Sequence, residues 1–105
     1  MDAFVALADP TRRQIIQSLA SGESAFGDIA DQFEMSRPAV SQHLKVLREA
    51  GLVAVRKDAQ RRIYRIEASG FDEVDEWLDS VRQFWNERLD ELERVLGKHD
   101  EGGES

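Results

Sequence analysis

The chain has 105 residues, no cysteine and a formal charge of −7. That length fits one domain, which buries only about two-thirds of the surface its unfolded chain exposes, so a partner subunit is expected to add stability. The lack of cysteine excludes disulfides, thiolate metal sites, thiol redox sensing and cysteine nucleophiles, and with no basic leader and no run approaching about 18 apolar residues, a cytoplasmic location without a membrane partner is expected.

In chain order, residues 2–7 are a short apolar stretch, and Asp9-Pro10 then reads as a helix start. Asp accepts free backbone N–H groups there, and Pro tolerates the first helical position. This helix is expected to run to about Ala20 with Ile15, Ile16 and Leu19 inward, until Ser21-Gly22 stops it. Phe26, Ile29, Ala30 and Phe33 follow at i, i+3, i+4 and i+7, which predicts a second short helix. Beyond Glu34-Met35, Ser36 can cap a third helix with Pro38 in its first turn, a buried stripe of Val40, Leu44 and Leu47, and a stop at Gly51.

Residues 52–57 and 62–67 are rich in Val, Ile and Tyr with partial alternation, and the polar Asp58-Ala59-Gln60-Arg61 joins them into a hairpin. No glycine marks the turn, so its type stays open. Ser69-Gly70 introduces the longest periodic segment: Phe71, Val74, Leu78, Val81, Trp85, Leu89, Leu92 and Leu96 recur at intervals of three or four, predicting a helix of roughly seven turns. Trp77 and Phe84 widen that stripe beyond what one small domain covers, which points to a helix–helix dimer interface; packing within its own domain is the plainer alternative. The expected organisation is one domain over residues 1–97 and a flexible acidic tail over 98–105.

Charge is uneven along this framework. Residues 36–66 hold eight Lys or Arg against two acids, a net of +6, whereas 67–105 hold four against thirteen, a net of −9, with −4 on 1–35. A basic middle that meets phosphate and an acidic end that avoids it is the reading this suggests, although charges that merely solvate a surface would look similar.

Two short helices separated by a tight turn form a helix-turn-helix by spacing, and the outward residues of the second give it meaning. With Val40, Leu44 and Leu47 inward, Ser36, Arg37, Pro38, Ala39, Ser41, Gln42, His43 and Lys45 remain, which are small or hydrogen-bonding groups able to approach a major groove. Gln42 suits an adenine edge, Arg37 or Lys45 a guanine or phosphate, Ser41 a phosphate or base, and Pro38 or Ala39 a thymine methyl. The hairpin adds a wing whose Arg56, Lys57, Gln60, Arg61 and Arg62 are placed for backbone or minor-groove contact. Tyr64 and Ile66 are expected to face inward, and a hairpin with one aromatic is a poor platform for single strands, so double-stranded DNA is favoured.

From Phe4 to Leu96 the chain resembles the ArsR-type winged-helix repressors. The resemblance rests on Leu7-Ala8-Asp9-Pro10-Thr11-Arg12-Arg13 with Ile15-Ile16, on Asp28-Ile29-Ala30, on the run from Ser36 through Val53, and on Arg61-Arg62 with Tyr64. It implies a mainly α fold with a small β-hairpin, a winged helix-turn-helix whose long C-terminal helix lies in a dimer interface. It also implies a homodimer joined through its first and last helices, here Phe4 and Leu7 with Trp77, Leu78, Val81, Phe84, Trp85, Leu89 and Leu92, and repression from a palindromic operator.

The departures from the family are informative. Where founding members carry metal-binding cysteines this chain has Ala25 and Gly27, and the last helix between Phe71 and Leu96 has no histidine for the second kind of site. His43 and His99 are not spaced to share a zinc, so no metal and no cofactor is expected, and His43 reads as a DNA-contact or helix-surface residue. Catalysis is not expected, because Ser41 and His43, two apart on a helix, point in different directions. Two matters stay open: whether the fold serves instead as a protein-interaction module, and whether a small molecule near Trp77, Phe84 and Trp85, a partner protein or no effector controls it.

Overall fold

The computed structural model describes residues 2–104, with side chains described over 2–96. It is mostly helical, with a small three-stranded antiparallel sheet and a long C-terminal helix. A single-turn helix α1 (Ala3–Ala6) is followed by α2 (Pro10–Leu19), strand β1 (Ser24–Ala25), α3 (Phe26–Ala30) and α4 (Arg37–Glu49). Strands β2 (Val53–Asp58) and β3 (Arg61–Ile66) come next, then a 3-10 turn over Ala68–Phe71 and α5 (Asp72–Glu104). The chain falls into two compact units, Met1–Val74 and Asp75–Ser105. The flexible tail expected over 98–105 lies outside the residues whose side chains are described.

Helices α1, α2 and α4 start where a side chain satisfies an orphan N–H group, whereas α3 starts after Ala25 without a side-chain cap. Asp2 accepts from Phe4 N at 2.7 Å, Asp9 from Arg12 N at 3.0 Å and Ser36 from Ala39 N at 3.3 Å, with Pro10 and Pro38 in the first turns of α2 and α4. Arg12 and Arg13 close the far end of α1: Arg12 Nε donates to the Ala6 carbonyl at 2.6 Å and Arg13 Nη1 to the Leu7 carbonyl at 2.8 Å. The Asp9-Pro10-Thr11-Arg12-Arg13 run is therefore a joint that caps one helix while finishing another.

The core of this unit gathers Ile15 and Leu19 of α2, Ile29 of α3, Val40, Leu44 and Leu47 of α4, Leu52, and Tyr64 of β3. Ile15, Ile29, Val40 and Leu47 are fully buried, each contributing about 1.5–3 kcal/mol by removal from water. Ile16 stays half-buried at the edge of the core.

Several expectations need adjusting. The hairpin is the outer part of a three-stranded sheet in the order β1-β3-β2, because Ser24 and Ala25 pair with Tyr64 and Ile63. Helix α3 ends at Ala30, and Phe33 packs on the core from the turn beyond it. Tyr64 is in the core and Ile66 packs against it, as expected, but Ile63, of the opposite parity, is buried as well. Burial of both Ile63 and Tyr64 breaks the alternation of a strand with one wet face.

The wing turn contains only Ala59 and Gln60, with Ala59 at φ 59. A positive φ at the first loop residue alone has the sign pattern of a type II′ turn, whose twist matches the strands. Alanine adopts it at a cost of about 1–2 kcal/mol, which explains why no glycine signal marked the turn.

At the other end of the wing, Gly51 leaves α4 at φ +78, where glycine is favoured. Gly70 lies against it: a Cβ at residue 70 would fall 1.8 Å from the Gly51 carbonyl oxygen and 3.2 Å from Leu52 N.

Candidate nucleic-acid interface

Helical spacing divides the surface of α4 into an inward stripe, an outward face and two flanks. Val40, Leu44 and Leu47 are inward; Pro38, Gln42, Lys45 and Glu49 lie opposite them and are exposed; Ala39, His43 and Val46 lie on one flank and are half-buried, and Arg37 and Ser41 lie on the other. Arg48 falls on the flank of Arg37 and Ser41 and is exposed, a position that the sequence reading does not assign to the site. Its spacing of seven from Ser41 and three from Lys45 was the available signal.

His43 differs from the other expected contact residues. Its Nδ1 lies 3.3 Å from Arg12 Nη1 and 3.8 Å from Asp9 Oδ2, so it sits against the start of α2. Partial burial pushes the Asp9 carboxyl upward, but the Arg12 N–H, the nearby His43 and Arg12 charges and the Thr11 N–H outweigh it and hold the carboxyl below its ordinary value. His43 thus joins α4 to the capping joint of α2, on the flank away from Arg37.

In the wing, Cα partners are Lys57 with Arg62 and Asp58 with Arg61. Lys57 and Arg62 share parity with Val55 and Tyr64, which puts them on the helix-facing side of the sheet. Two cations directly opposite each other destabilise a hairpin. Such a pair is useful where an external anion relieves it. Among the described residues, Lys45, Arg48, Lys57, Arg61 and Arg62 form no ion pair. Arg56 is different: its Nη1 donates to Glu23 Oε1, a contact that lowers the Glu23 carboxyl and raises the Arg56 guanidinium from their ordinary values. It ties the wing to the segment before β1.

Recognition-helix start and wing tip meet around an open cleft of about 450 Å³ lined by Ala25, Phe26, Gly27, Asp28, Arg37, Gln60, Arg61 and Arg62. The Arg37 and Arg62 guanidinium carbons stand 5.9 and 5.8 Å from the centre of the Phe26 ring, and Arg37 Nη2 lies 3.3 Å from Asp31 Oδ1. Sequence spacing places Phe26 on one apolar helical face with Ile29, Ala30 and Phe33. Its arginine partners are distant in sequence, so spacing gave no hint of this second contact. The cleft brings Arg37, Gln60, Arg61 and Arg62 together, whereas Gln42 and Lys45 are on α4 outside its lining.

Ala25 and Gly27, at the start of α3, bring no metal-donor side chain to this place. Among the described residues no group of three or more His, Asp or Glu could hold a metal ion, and no helix is long and apolar enough to cross a membrane.

Two helices joined by a short turn, the second with a polar outward sector and followed by a basic hairpin, define a winged helix-turn-helix protein. Residues 9–55 match the family described as bacterial regulatory protein, arsR family. The chain is 46% identical over 87 residues to the HTH-type transcriptional regulator Rv2034 of Mycobacterium tuberculosis, covering 83% of this chain and 78% of that protein. It is 32% identical over 77 residues to the transcriptional repressor SdpR of Bacillus subtilis, covering 73% and 86%. A crystal structure titled as a possible transcriptional regulator for arsenical resistance superposes with a TM-score of 0.73 at 44% identity, covering 88% of this chain and 93% of that one. The chain belongs to the arsR family of bacterial regulatory proteins. The family and these relatives are regulators, not enzymes.

Proposed function

We propose that this protein is a homodimeric, sequence-specific repressor that places α4 of each copy in successive major grooves of a palindromic duplex. The observation that carries this reading is the meeting of the start of α4, through Arg37, with the wing cations Arg61 and Arg62, which form no intramolecular ion pair among the described residues, in a chain of the arsR family. Gln42 reads a base edge, Arg37, Lys45 and Arg48 contact guanine or phosphate, and Lys57, Arg61 and Arg62 follow the backbone. His43 and Arg56, each already held by an intramolecular partner, support the geometry more than they read it.

The dimer reading rests on α5. Leu78, Trp85 and Leu92 recur every seven residues, with Phe84, Leu89, Val95 and Leu96 beside them, and all are exposed. Such a stripe is the seam of paired helices. Two-fold symmetry then sets half-sites roughly 34 Å apart, or a multiple of it. With Ala25 and Gly27 in place of donor residues, repression does not respond to metals through the usual site.

Selection of the purified protein against a random duplex library, then titration of the enriched sequence at two salt concentrations, tests the reading. An inverted repeat with steep salt dependence is expected. Gln42→Ala then loses about 1–3 kcal/mol at one operator position, while Arg61→Ala weakens all duplexes alike and lowers the salt slope by about 1. No enrichment would favour a protein-interaction module instead.

A further inference from the structure

The cleft between α3, the start of α4 and the wing tip is built unlike an ordinary solvated surface. Three guanidinium side chains, Arg37, Arg61 and Arg62, line it against one carboxylate, Asp28. Two of them come from different elements onto one aromatic ring, at 5.9 and 5.8 Å from its centre. Like charges brought to one ring repel each other, and the electron-rich ring offsets part of that. Asp31 reaches Arg37 from the side at 3.3 Å, and Arg61 and Arg62 make no ion pair among the described residues. A Cβ at residue 27 would stand 3.9 Å from both terminal nitrogens of Arg37, in ordinary van der Waals contact, so the start of α3 forms a close wall beside the guanidinium.

We propose that this cleft binds one phosphate group, with Phe26 as the positioning residue that orients Arg37 and Arg62 toward it. Planar guanidinium forks suit phosphate because two parallel N–H donors meet two oxygens. The phosphate has two sources, the backbone of the operator or a free phosphorylated small molecule, and the chemistry recognised is the same. Only the DNA arm of the test rests on the function proposed above. A free phosphate compound that fills the cleft occupies arginines needed for DNA and so opposes operator binding.

The full chain is titrated with inorganic phosphate at fixed ionic strength, following the arginine side-chain N–H resonances, and duplex affinity is measured at two salt concentrations. A saturable shift of Arg37 and Arg62, lost in Phe26→Leu and restored in Phe26→Tyr, with phosphate displacing duplex, supports a site shared by both sources. No saturation with free phosphate, but duplex affinity about fivefold lower in Phe26→Leu on every sequence and recovered in Phe26→Tyr, supports the DNA backbone as the source. Arg62→Gln, an exposed change, repeats the test should Phe26→Leu disturb folding by circular dichroism. Folded variants that bind duplex like the parent, with only linear phosphate shifts that chloride reproduces, overturn the proposal. Should the parent bind no duplex at all, the repressor reading falls and the phosphate titration alone still decides this one.

Discussion

The two units treat the same kinds of side chain in opposite ways. Between Met1 and Val74, Ile15, Ile29, Val40, Leu47 and Leu52 are 0% exposed, whereas on α5 Trp85 is 55%, Leu92 52% and Val95 68% exposed. Apolar residues at helical spacing are thus a core only where other elements surround them. In the first unit four helices and a sheet do so. On α5 the equivalent stripe implies surface for a second copy, as proposed above.

The largest expected effect breaks this contrast from the α5 side. Trp85→Glu puts a charge in the proposed seam and should yield monomers by light scattering, with operator affinity lower by about a hundredfold or more because one half-site no longer assists the other. Helix content and the burial of Ile15 should persist; an unchanged dimer would reject the seam. Leu44→Ala attacks the other side. It should cost about 2–5 kcal/mol in urea unfolding through lost burial and a cavity, while the refolded protein keeps its oligomeric state.

A smaller effect comes from the joint at Asp9. Its carboxyl titrates below the ordinary value when folded, so its stabilisation is present above the unfolded pKa and lost as pH falls through the folded one. Asp9→Asn keeps a capping side chain but removes the titration. The stability gap between parent and variant should be full at pH 7 and narrow below about pH 4. A gap independent of pH would mean that His43 and Arg12 do not stabilise the carboxylate. Smallest of all, Ala59→Gly should stabilise by about 0.5 kcal/mol in a thermal melt, the relief of positive φ being partly offset by glycine's unfolded-state entropy.

What the sequence made legible follows from range. Helices α2 and α4 could be read because caps and core spacing lie within a few turns of each other, as Asp9 with Ile15 and Ser36 with Leu44 illustrate. Strand β1 could not, since two residues carry no period and its pairing partner lies in β3. The outward residues of α4 were readable from periodicity alone. The diversion of His43 toward Arg12 and of Arg56 toward Glu23 was not, because these partners are 31 and 33 residues away along the chain. Phe26 illustrates a third limit. A half-buried aromatic can serve a core with one face and cations with the other, and spacing reports only the first.

The contact between Gly51 and Gly70 sets a rule for how this sequence can drift. With only 1.8 Å between a would-be Cβ of residue 70 and the Gly51 carbonyl oxygen, no L-amino acid with a side chain passes there unless the backbone moves. The end of α4 and the turn ahead of α5 therefore touch main chain to main chain, with no side chain between them to absorb a mismatch. In mechanical language the joint is geared and not sprung. A repertoire of functional variants should accept many residues at the exposed Gln14 or Gln17 and almost none but glycine at position 70.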